Sequence, residues 1–401
     1  MSPFIQLALA LAIILFFAKL AGYLSTLLNQ PSVFGELVIG VILGPSLIDL
    51  FHASFFTDVH LGEIITEIGE LGVLFLMFLA GLELHLDELT KNTRVAAFSG
   101  ILGVVVPVLL GFGLGVLVGV PSQSSFYLGL TMGATSVSIS AQTLMELKVL
   151  RSRVGLGLLG AAVFDDVLVI LLLSAFLAVN DGGSSTGEFL LIFVRMVVFL
   201  AASVLFGIYV LPFLVRRIAR LPISQSTLSF AIIILILYGL AAEILGGMAA
   251  ITGSFIAGLM FARMPEKARL ESGILSLAYG FFVPIFFVSI GLALDTHQLS
   301  TNALWLMIGV SILAILGKVA GCGIGARLGG FSWRESIQLG AGMSSRGEVG
   351  LIVASVGLKN NLINNEIFSA VIGMVLITTL VTPPLLRALF SKPAPSHQPS
   401  T

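Results

Sequence analysis

The amino-acid sequence predicts an all-α membrane protein with about thirteen transmembrane helices. Three observations support this fold class. Apolar residues make up 57% of the 401 residues and charged residues only 10%, a composition that soluble domains do not have. Apolar windows of about 20 residues, the length that crosses a bilayer, recur almost from end to end. Lys and Arg are concentrated in alternate breaks between these windows, as expected for a chain that crosses the membrane repeatedly.

The windows define the predicted helices in order. The first has no basic region before it and no small-residue cleavage site after it, so we expect a retained helix and not a signal peptide. Transmembrane strands would be about 10 residues long and would alternate in polarity, which these windows do not. The predicted spans are roughly 3–28, 32–48, 61–84, 95–119, 124–146, 154–179, 188–214, 225–244, 247–264, 272–294, 303–328, 334–358 and 364–390.

The basic residues also predict the orientation, because cytoplasmic loops are enriched in Lys and Arg. With the N-terminus outside and the C-terminus in the cytoplasm, the predicted outer loops contain only Lys359. One helix more or fewer in the middle of the chain would destroy this alternation, so the helix count and the orientation support each other. The basic residues of the predicted inner loops and the C-terminal end are Lys91, Arg94, Lys148, Arg151, Arg153, Arg216, Arg217, Arg220, Arg263, Lys267, Arg269, Arg327, Arg334, Arg387 and Lys392.

A weak internal repeat relates the two halves of the chain. Three short segments recur in the same order about 210 positions later, which is harder to attribute to chance than any one match. The paired segments are 78–84 with 288–294, 128–135 with 339–346, and 35–40 with 253–258. The first six predicted helices therefore correspond to the last six, with the helix at 188–214 as the connector between them. Because that linker is a single span, the second half enters the membrane from the opposite side, which is the inverted repeat typical of secondary transporters.

Two adjacent aspartates, Asp165 and Asp166, lie within the sixth predicted span. A carboxylate at bilayer depth costs roughly 2.5 kcal/mol or more, so an intramembrane pair is a hypothesis of function. Lys318 also lies deep in a span, with about fifteen residues before it, too deep for its ammonium group to reach the interface easily. These charges predict a chain that moves protons or cations.

Polar residues and glycines interrupt the repeat-related spans 124–146 and 334–358 more than any others. In transporters with inverted repeats, such broken helices lie beside the substrate site near the middle of the membrane. We expect Thr135 and Ser136 to bring oxygen atoms close to the ion. Arg346 and Glu348 lie in the second interrupted span, where they could pair with each other or with Glu70.

Other classes of chemistry have no support in the sequence. The single cysteine, Cys322, excludes an internal disulfide and a cysteine-based metal cluster, and the five histidines have no metal-ligand spacing. The sequence contains no phosphate-binding loop, dinucleotide fingerprint or nucleophile elbow. We therefore expect no enzymatic activity, no cofactor other than the transported ions, no nucleic-acid partner and no nucleotide-binding domain.

Several motifs together resemble the monovalent cation:proton antiporters of the NapA and Kef type. They are Phe-Asp-Asp at 164–166, Lys318, and the segments 31–45, 81–84 and 345–351. Some Kef-type relatives have Gln-Asp in place of Asp-Asp and carry an additional nucleotide-binding domain. The paired aspartates here, without such a domain, resemble the sodium/proton branch more closely.

The resemblance implies a role for each residue of the site. Asp166 would be the principal carrier of the cation and the proton, and Asp165 would be the partner of Lys318. Thr135 and Ser136 would supply further oxygen ligands to a sodium or potassium ion, while Arg346, Glu348 and Glu70 are possible supporting charges. The implied protein is a homodimer in the inner cell membrane, surrounded by lipid, that contributes to pH homeostasis by electrogenic exchange.

The repeat and the resemblance together predict a division into units. Residues 1–84 and 225–294 would form the scaffold and dimerisation helices of the two repeats. Residues 95–179 and 303–390 would form a mobile ion-carrying core bundle. Residues 188–214 would be the linker helix, and 391–401 a disordered Pro/Ser-rich tail.

Two other functions remain open from the sequence, besides potassium/proton exchange in place of sodium/proton exchange. A Kef-like gated potassium channel would share the fold and the carboxylates but would conduct without proton coupling. An intramembrane aspartyl protease would need two aspartates on facing helices, for which adjacent residues on one helix are poorly placed.

Overall fold

The computed structural model describes residues 1–28, 30–53, 56–82, 93–180, 186–292, 301–359 and 361–390. All regular structure within these ranges is helical. The predicted tail at 391–401 and the span ends at 83–84 and 293–294 lie outside the described residues. Nine continuous helical segments in the described ranges, two of which include a turn of π-helix, are long and apolar enough to cross a membrane, and two shorter apolar helices accompany them. The protein is therefore an all-helical membrane protein, as predicted.

The helices follow one another along the whole chain. In order they are α1 (Pro3–Leu27), α2 (Ser32–Leu43), α3 (Leu61–Leu82), α4 (Thr93–Leu117), α5 (Ser122–Gly133), α6 (Val137–Glu146), α7 (Arg153–Asn180), α8 (Thr186–Tyr209), α9 (Leu211–Ile218), α10 (Ser226–Ala241), α11 (Ala250–Phe261), α12 (Lys267–Leu277), α13 (Val283–Leu292), α14 (Thr301–Leu328), α15 (Trp333–Gly342), α16 (Glu348–Lys359) and α17 (Asn365–Phe390). Single turns of π-helix follow α10 and separate α12 from α13.

Some helices are shorter than the apolar windows, for reasons visible in the local sequence. The window at 32–48 contains a helix that stops at Leu43, because Gly44 is extended before Pro45 and the residue before a proline avoids the helical conformation. The window at 247–264 contains α11, which begins only at Ala250 after Gly247 adopts a left-handed conformation with a φ of 65°. Apolar composition alone does not mark these ends.

The helices pack in two groups. In the first, which we call the core group, α4 packs against α5, α7 and α14, and α14 packs against α15 and α17. In the second, which we call the scaffold group, α2 packs against α1 and α13, and α3 packs against α11 and α13. The core group contains both interrupted segments, α5–α6 and α15–α16.

Two close helix contacts in the scaffold group occur at positions that the sequence repeat relates. A Cβ atom at Gly258 of α11 would clash with the carbonyl oxygen of Phe78 on α3. A Cβ atom at Gly40 of α2 would clash in the same way with the carbonyl oxygen of Val288 on α13. Only glycine allows helix backbones to approach this closely. The corresponding glycines of the two halves therefore make corresponding contacts.

Candidate functional site

The two interrupted helices cross at their breaks and hydrogen-bond to each other there. Residues 134–136 separate α5 from α6, and residues 343–347 separate α15 from α16. The Ser136 N–H donates to the Ser345 carbonyl at 3.0 Å, and the Ser345 hydroxyl donates to the Ser136 carbonyl at 2.5 Å. The Ser140 hydroxyl also donates to the Gly342 carbonyl. Backbone groups that the helices leave free at membrane depth need such partners.

Arg346 stabilises the end of the half-helix α15. Its guanidinium group is fully buried and donates to the carbonyls of Met343 and Ser344, each at 3.1 Å, and to that of Ala314 on α14 at 3.1 Å. The last carbonyls of a helix carry partial negative charge, so a cation here is favourable. The partners that the sequence suggests for Arg346 are Glu348 and Glu70. The Glu348 side chain lies outside the described residues, and Glu70 is on an exposed face of α3.

Asp165 and Lys318 form a buried ion pair between α7 and α14. The Lys318 Nζ lies 2.5 Å from the Asp165 Oδ1, and both side chains are 0% exposed. Buried charges of this kind are tolerated only when they are paired. The other oxygen of this carboxylate, Oδ2, is buried without a hydrogen-bond partner in the part of the chain that the structure describes. Lys318 therefore balances the negative charge of Asp165 within the core group.

Asp166 points to a different neighbourhood, because adjacent helical residues are about 100° apart. Its Oδ2 accepts a hydrogen bond from the Thr252 hydroxyl of α11 at 3.1 Å. The Asp166 side chain is 6% exposed and borders a small cavity. This cavity lies where α3, α6, α7 and α11 meet, and its lining includes Met77, Val137, Leu159, Asp166, Thr252 and Phe255.

The break between α5 and α6 reaches the same cavity. Val137, the first residue of α6, lines it beside Asp166. Two residues earlier, the Thr135 hydroxyl is buried without a hydrogen-bond partner among the described residues. The Ser136 hydroxyl lies 2.9 Å from that of Ser138. A carboxylate together with hydroxyl and carbonyl oxygens is a ligand set that suits a hard cation.

Sequence reasoning did not find Thr252. A threonine in an apolar helix most often hydrogen-bonds within its own helix. In addition, Thr252 lies 86 positions from Asp166 along the chain. The carbonyl partners of Arg346 were also missed, although a clear signal was present. An arginine that follows the glycines of an interrupted span is well placed to bind the carbonyls at the end of the helix before it.

Comparison with known proteins gives consistent results. The family described as sodium/hydrogen exchanger, transmembrane, matches residues 12–392. The Na⁺/H⁺-K⁺ antiporter GerN of Bacillus cereus is 38% identical over 95% of both chains. The probable Na⁺/H⁺ antiporter GerT of the same species is 40% identical over 95% of this chain and 98% of its own.

A solved structure has the same fold. The sodium proton antiporter MjNhaP1 of Methanocaldococcus jannaschii superposes with a TM-score of 0.73 at 17% identity, and the match covers 97% of this chain and 96% of that one. The narrower resemblance to the NapA and Kef types stays a prediction, since these matches do not distinguish between branches. By both sequence and fold, the chain is a multi-pass cell-membrane protein and belongs to the sodium/hydrogen exchanger family.

Proposed function

We propose that this protein exchanges sodium ions for protons across the cell membrane, with Asp166 as the group that binds either one. The observation that supports this role is the different environment of the two aspartates. Asp165 is compensated by Lys318 at 2.5 Å. Asp166 borders a cavity and accepts a hydrogen bond from a neutral hydroxyl.

Competition for one carboxylate is sufficient to couple the two fluxes. An ionised Asp166 attracts a cation, and a protonated one does not, so occupancy by one species excludes the other. Sodium prefers carboxylate, hydroxyl and carbonyl oxygens, which Asp166, Thr135 and the backbone at Ser136 would supply. Lys318 would keep the charge of Asp165 from adding to that of Asp166.

The movement would be alternating access, with the core group as the mobile unit and the scaffold group as the fixed one. The domain limits are those expected from the sequence: 95–179 and 303–390 for the moving bundle, 1–84 and 225–294 for the scaffold, and 188–214 for the linker helix. This proposal includes thirteen spans in an inverted repeat, an outer N-terminus, a cytoplasmic C-terminus and a homodimer formed through the scaffold. It also includes electrogenic exchange and supporting roles for Arg346, Glu348 and Glu70.

Proteoliposomes containing a pH-sensitive dye test the proposal directly. Addition of sodium to acid-loaded vesicles is expected to dequench the dye, and Asp166→Asn is expected to abolish this response. Asp49→Asn is a suitable control, because Asp49 lies in a loop with a φ of 53°, a conformation that asparagine adopts readily. Unchanged exchange by Asp166→Asn would remove this residue from the mechanism.

Potassium is the serious alternative cation, and the name of the relative GerN includes it. The same vesicles tested with sodium, lithium and potassium chloride rank the three ions. A Kef-like gated channel is a second alternative, since it would share the fold. Cation flux that continues without any proton movement would favour the channel over the antiporter.

A further inference from the structure

The Asp166–Thr252 hydrogen bond crosses the boundary between the core and scaffold groups. Asp166 belongs to α7 of the core group, and Thr252 lies in the first turn of α11 in the scaffold group. Thr252 is 4% exposed, so this contact is shielded from solvent. Any movement of the core group relative to the scaffold group changes the distance between these two residues.

The first turn of α11 can stabilise a carboxylate through the helix dipole as well as through the Thr252 hydroxyl. The N-cap residue of this helix is Ala249, whose side chain has no atom that could accept from the first N–H groups. Ile251 and Thr252 both line the cavity that Asp166 borders, so the carboxylate lies beside the positive end of the helix dipole. A negative charge on Asp166 is stabilised at this place, and a neutralised Asp166 is stabilised less.

We infer that Thr252 is a positioning residue that holds the unloaded, ionised Asp166 against the scaffold group. This inference rests on the proposed function of Asp166. Binding of a proton or a cation neutralises the carboxylate and weakens its interaction with the hydroxyl and with the helix end. The loaded core group is then free to move, while the empty one is retained. We call this contact the latch. It prevents the empty core group from crossing without a proton or a cation, and such crossing would dissipate the ion gradients.

The repeat-related helix α2 has a comparable contact. Ser32, the first residue of α2, donates its N–H to the Glu146 carboxylate of α6 at 2.7 Å. Here too, a carboxylate of the core group lies against the first turn of a short scaffold helix. The corresponding helices α2 and α11 therefore both bind core carboxylates at their first turns, which supports a functional role for this arrangement.

Three variants of α11 test the latch. Thr252→Val removes the hydroxyl and keeps the side-chain shape, whereas Thr252→Ser keeps the hydroxyl. Ser254→Ala is the matched control, because the buried Ser254 hydroxyl donates to the Leu235 carbonyl of the neighbouring helix α10 at 3.3 Å and not to a residue of the core group. Each variant is reconstituted into proteoliposomes. Proton leak is measured without any transported cation, and exchange is measured over a range of sodium concentrations.

Thr252→Val is expected to increase the cation-independent proton leak by roughly tenfold and to lower the KM for sodium, because a hydrogen bond to the charged carboxylate no longer competes with the ion. Thr252→Ser and Ser254→Ala are expected to behave like the wild type. If Thr252→Val raises the KM for sodium without causing a leak, Thr252 is a cation ligand and the latch is refuted. Wild-type behaviour of Thr252→Val would also refute the latch. The latch is refuted as well if the proton leak of Thr252→Ser equals that of Thr252→Val. Absence of sodium–proton exchange in the wild type would instead refute the proposed function.

Discussion

Ser136 and Ser345 join the two helix breaks by a reciprocal pair of hydrogen bonds. The Ser136 N–H donates to Ser345, and the Ser345 hydroxyl donates back to the Ser136 carbonyl. Both residues are 0% exposed. The contact fixes where the two interrupted segments cross, next to the part of the chain that reaches the Asp166 cavity.

Replacement of Ser345 by alanine should loosen this crossing. The Ser136 carbonyl would lose its hydroxyl donor in a buried place, at a cost of about 1–3 kcal/mol. We expect a lower thermal unfolding temperature in detergent and slower sodium–proton exchange. Ser344→Ala is the matched control, since the Ser344 hydroxyl donates to Gly340 within its own segment at 3.1 Å. An equal loss in both variants would argue against a special role of the crossing.

Lys318 should be needed for stability as long as Asp165 is charged. Lys318→Met leaves a buried carboxylate without its cation, which costs about 3 kcal/mol or more. The double variant Asp165→Asn/Lys318→Met removes both charges, so much of the lost stability should return. Thermal unfolding of Asp165→Asn, Lys318→Met and the double variant in detergent, arranged with the wild type as a double-mutant cycle, measures the interaction between the two residues.

The same variants distinguish a structural role of the pair from a role in transport. If the pair only supports the fold, the double variant should exchange sodium for protons at close to the wild-type rate. If its charges also shape the Asp166 site, the pH profile of exchange should shift even where stability is restored. A double variant as unstable as Lys318→Met would contradict the ion-pair interpretation.

Arg346 should act mainly through the charge and reach of its guanidinium group. Arg346→Met removes a cation from the end of α15 and leaves buried carbonyls without donors, so we expect a loss of more than about 2 kcal/mol. Arg346→Lys keeps the charge but has no planar fork to bind the carbonyls of both α14 and the segment that follows α15, so it should be intermediate. Unfolding temperatures in detergent check this order. A lysine variant as stable as the wild type would show that charge alone is sufficient.

The sequence predicts the all-helical membrane fold, because long apolar windows reflect the thickness of the bilayer directly. The breaks in the interrupted spans were also predictable, since glycine, serine and threonine are concentrated there. The ends of α2 and α11 were less predictable. The chain stays apolar past Leu43, where α2 ends, and it is already apolar before Ala250, where α11 begins. At both places the backbone conformation, and not hydropathy, sets the limit of the helix.

Much of the candidate site depends on contacts between distant segments. The motif resemblance pointed to Asp165 and Lys318 together, and these residues are adjacent in the structure. Thr252 had no comparable signal, because one threonine in an apolar helix is common and its partner comes from the other packing group. The acceptors of Arg346 are backbone carbonyls, which residue identity does not encode. Side-chain chemistry was thus easier to anticipate than backbone chemistry.

Glu146 and Ser32 provide a final prediction, on movement between the two helix groups. The Glu146 carboxylate accepts from both the N–H and the hydroxyl of Ser32, and it also accepts from Gln142 at 2.7 Å. On the proposed topology this contact lies at the cytoplasmic side, between α6 of the core group and α2 of the scaffold group. Glu146→Gln removes the negative charge from the first turn of α2, so the contact should weaken and the two groups should separate more often at this side.

Labelling of an introduced cysteine measures this separation. Leu147→Cys lies beside Glu146, and the native Cys322 is buried, so background labelling should be low. We expect Glu146→Gln to raise the maleimide labelling rate at position 147 by roughly threefold, in line with the loss of about 0.6 kcal/mol at a helix end. Glu271→Gln on α12 serves as the control for a loss of surface charge. If the rate at position 147 stays the same in Glu146→Gln, the Glu146–Ser32 contact does not restrain the movement.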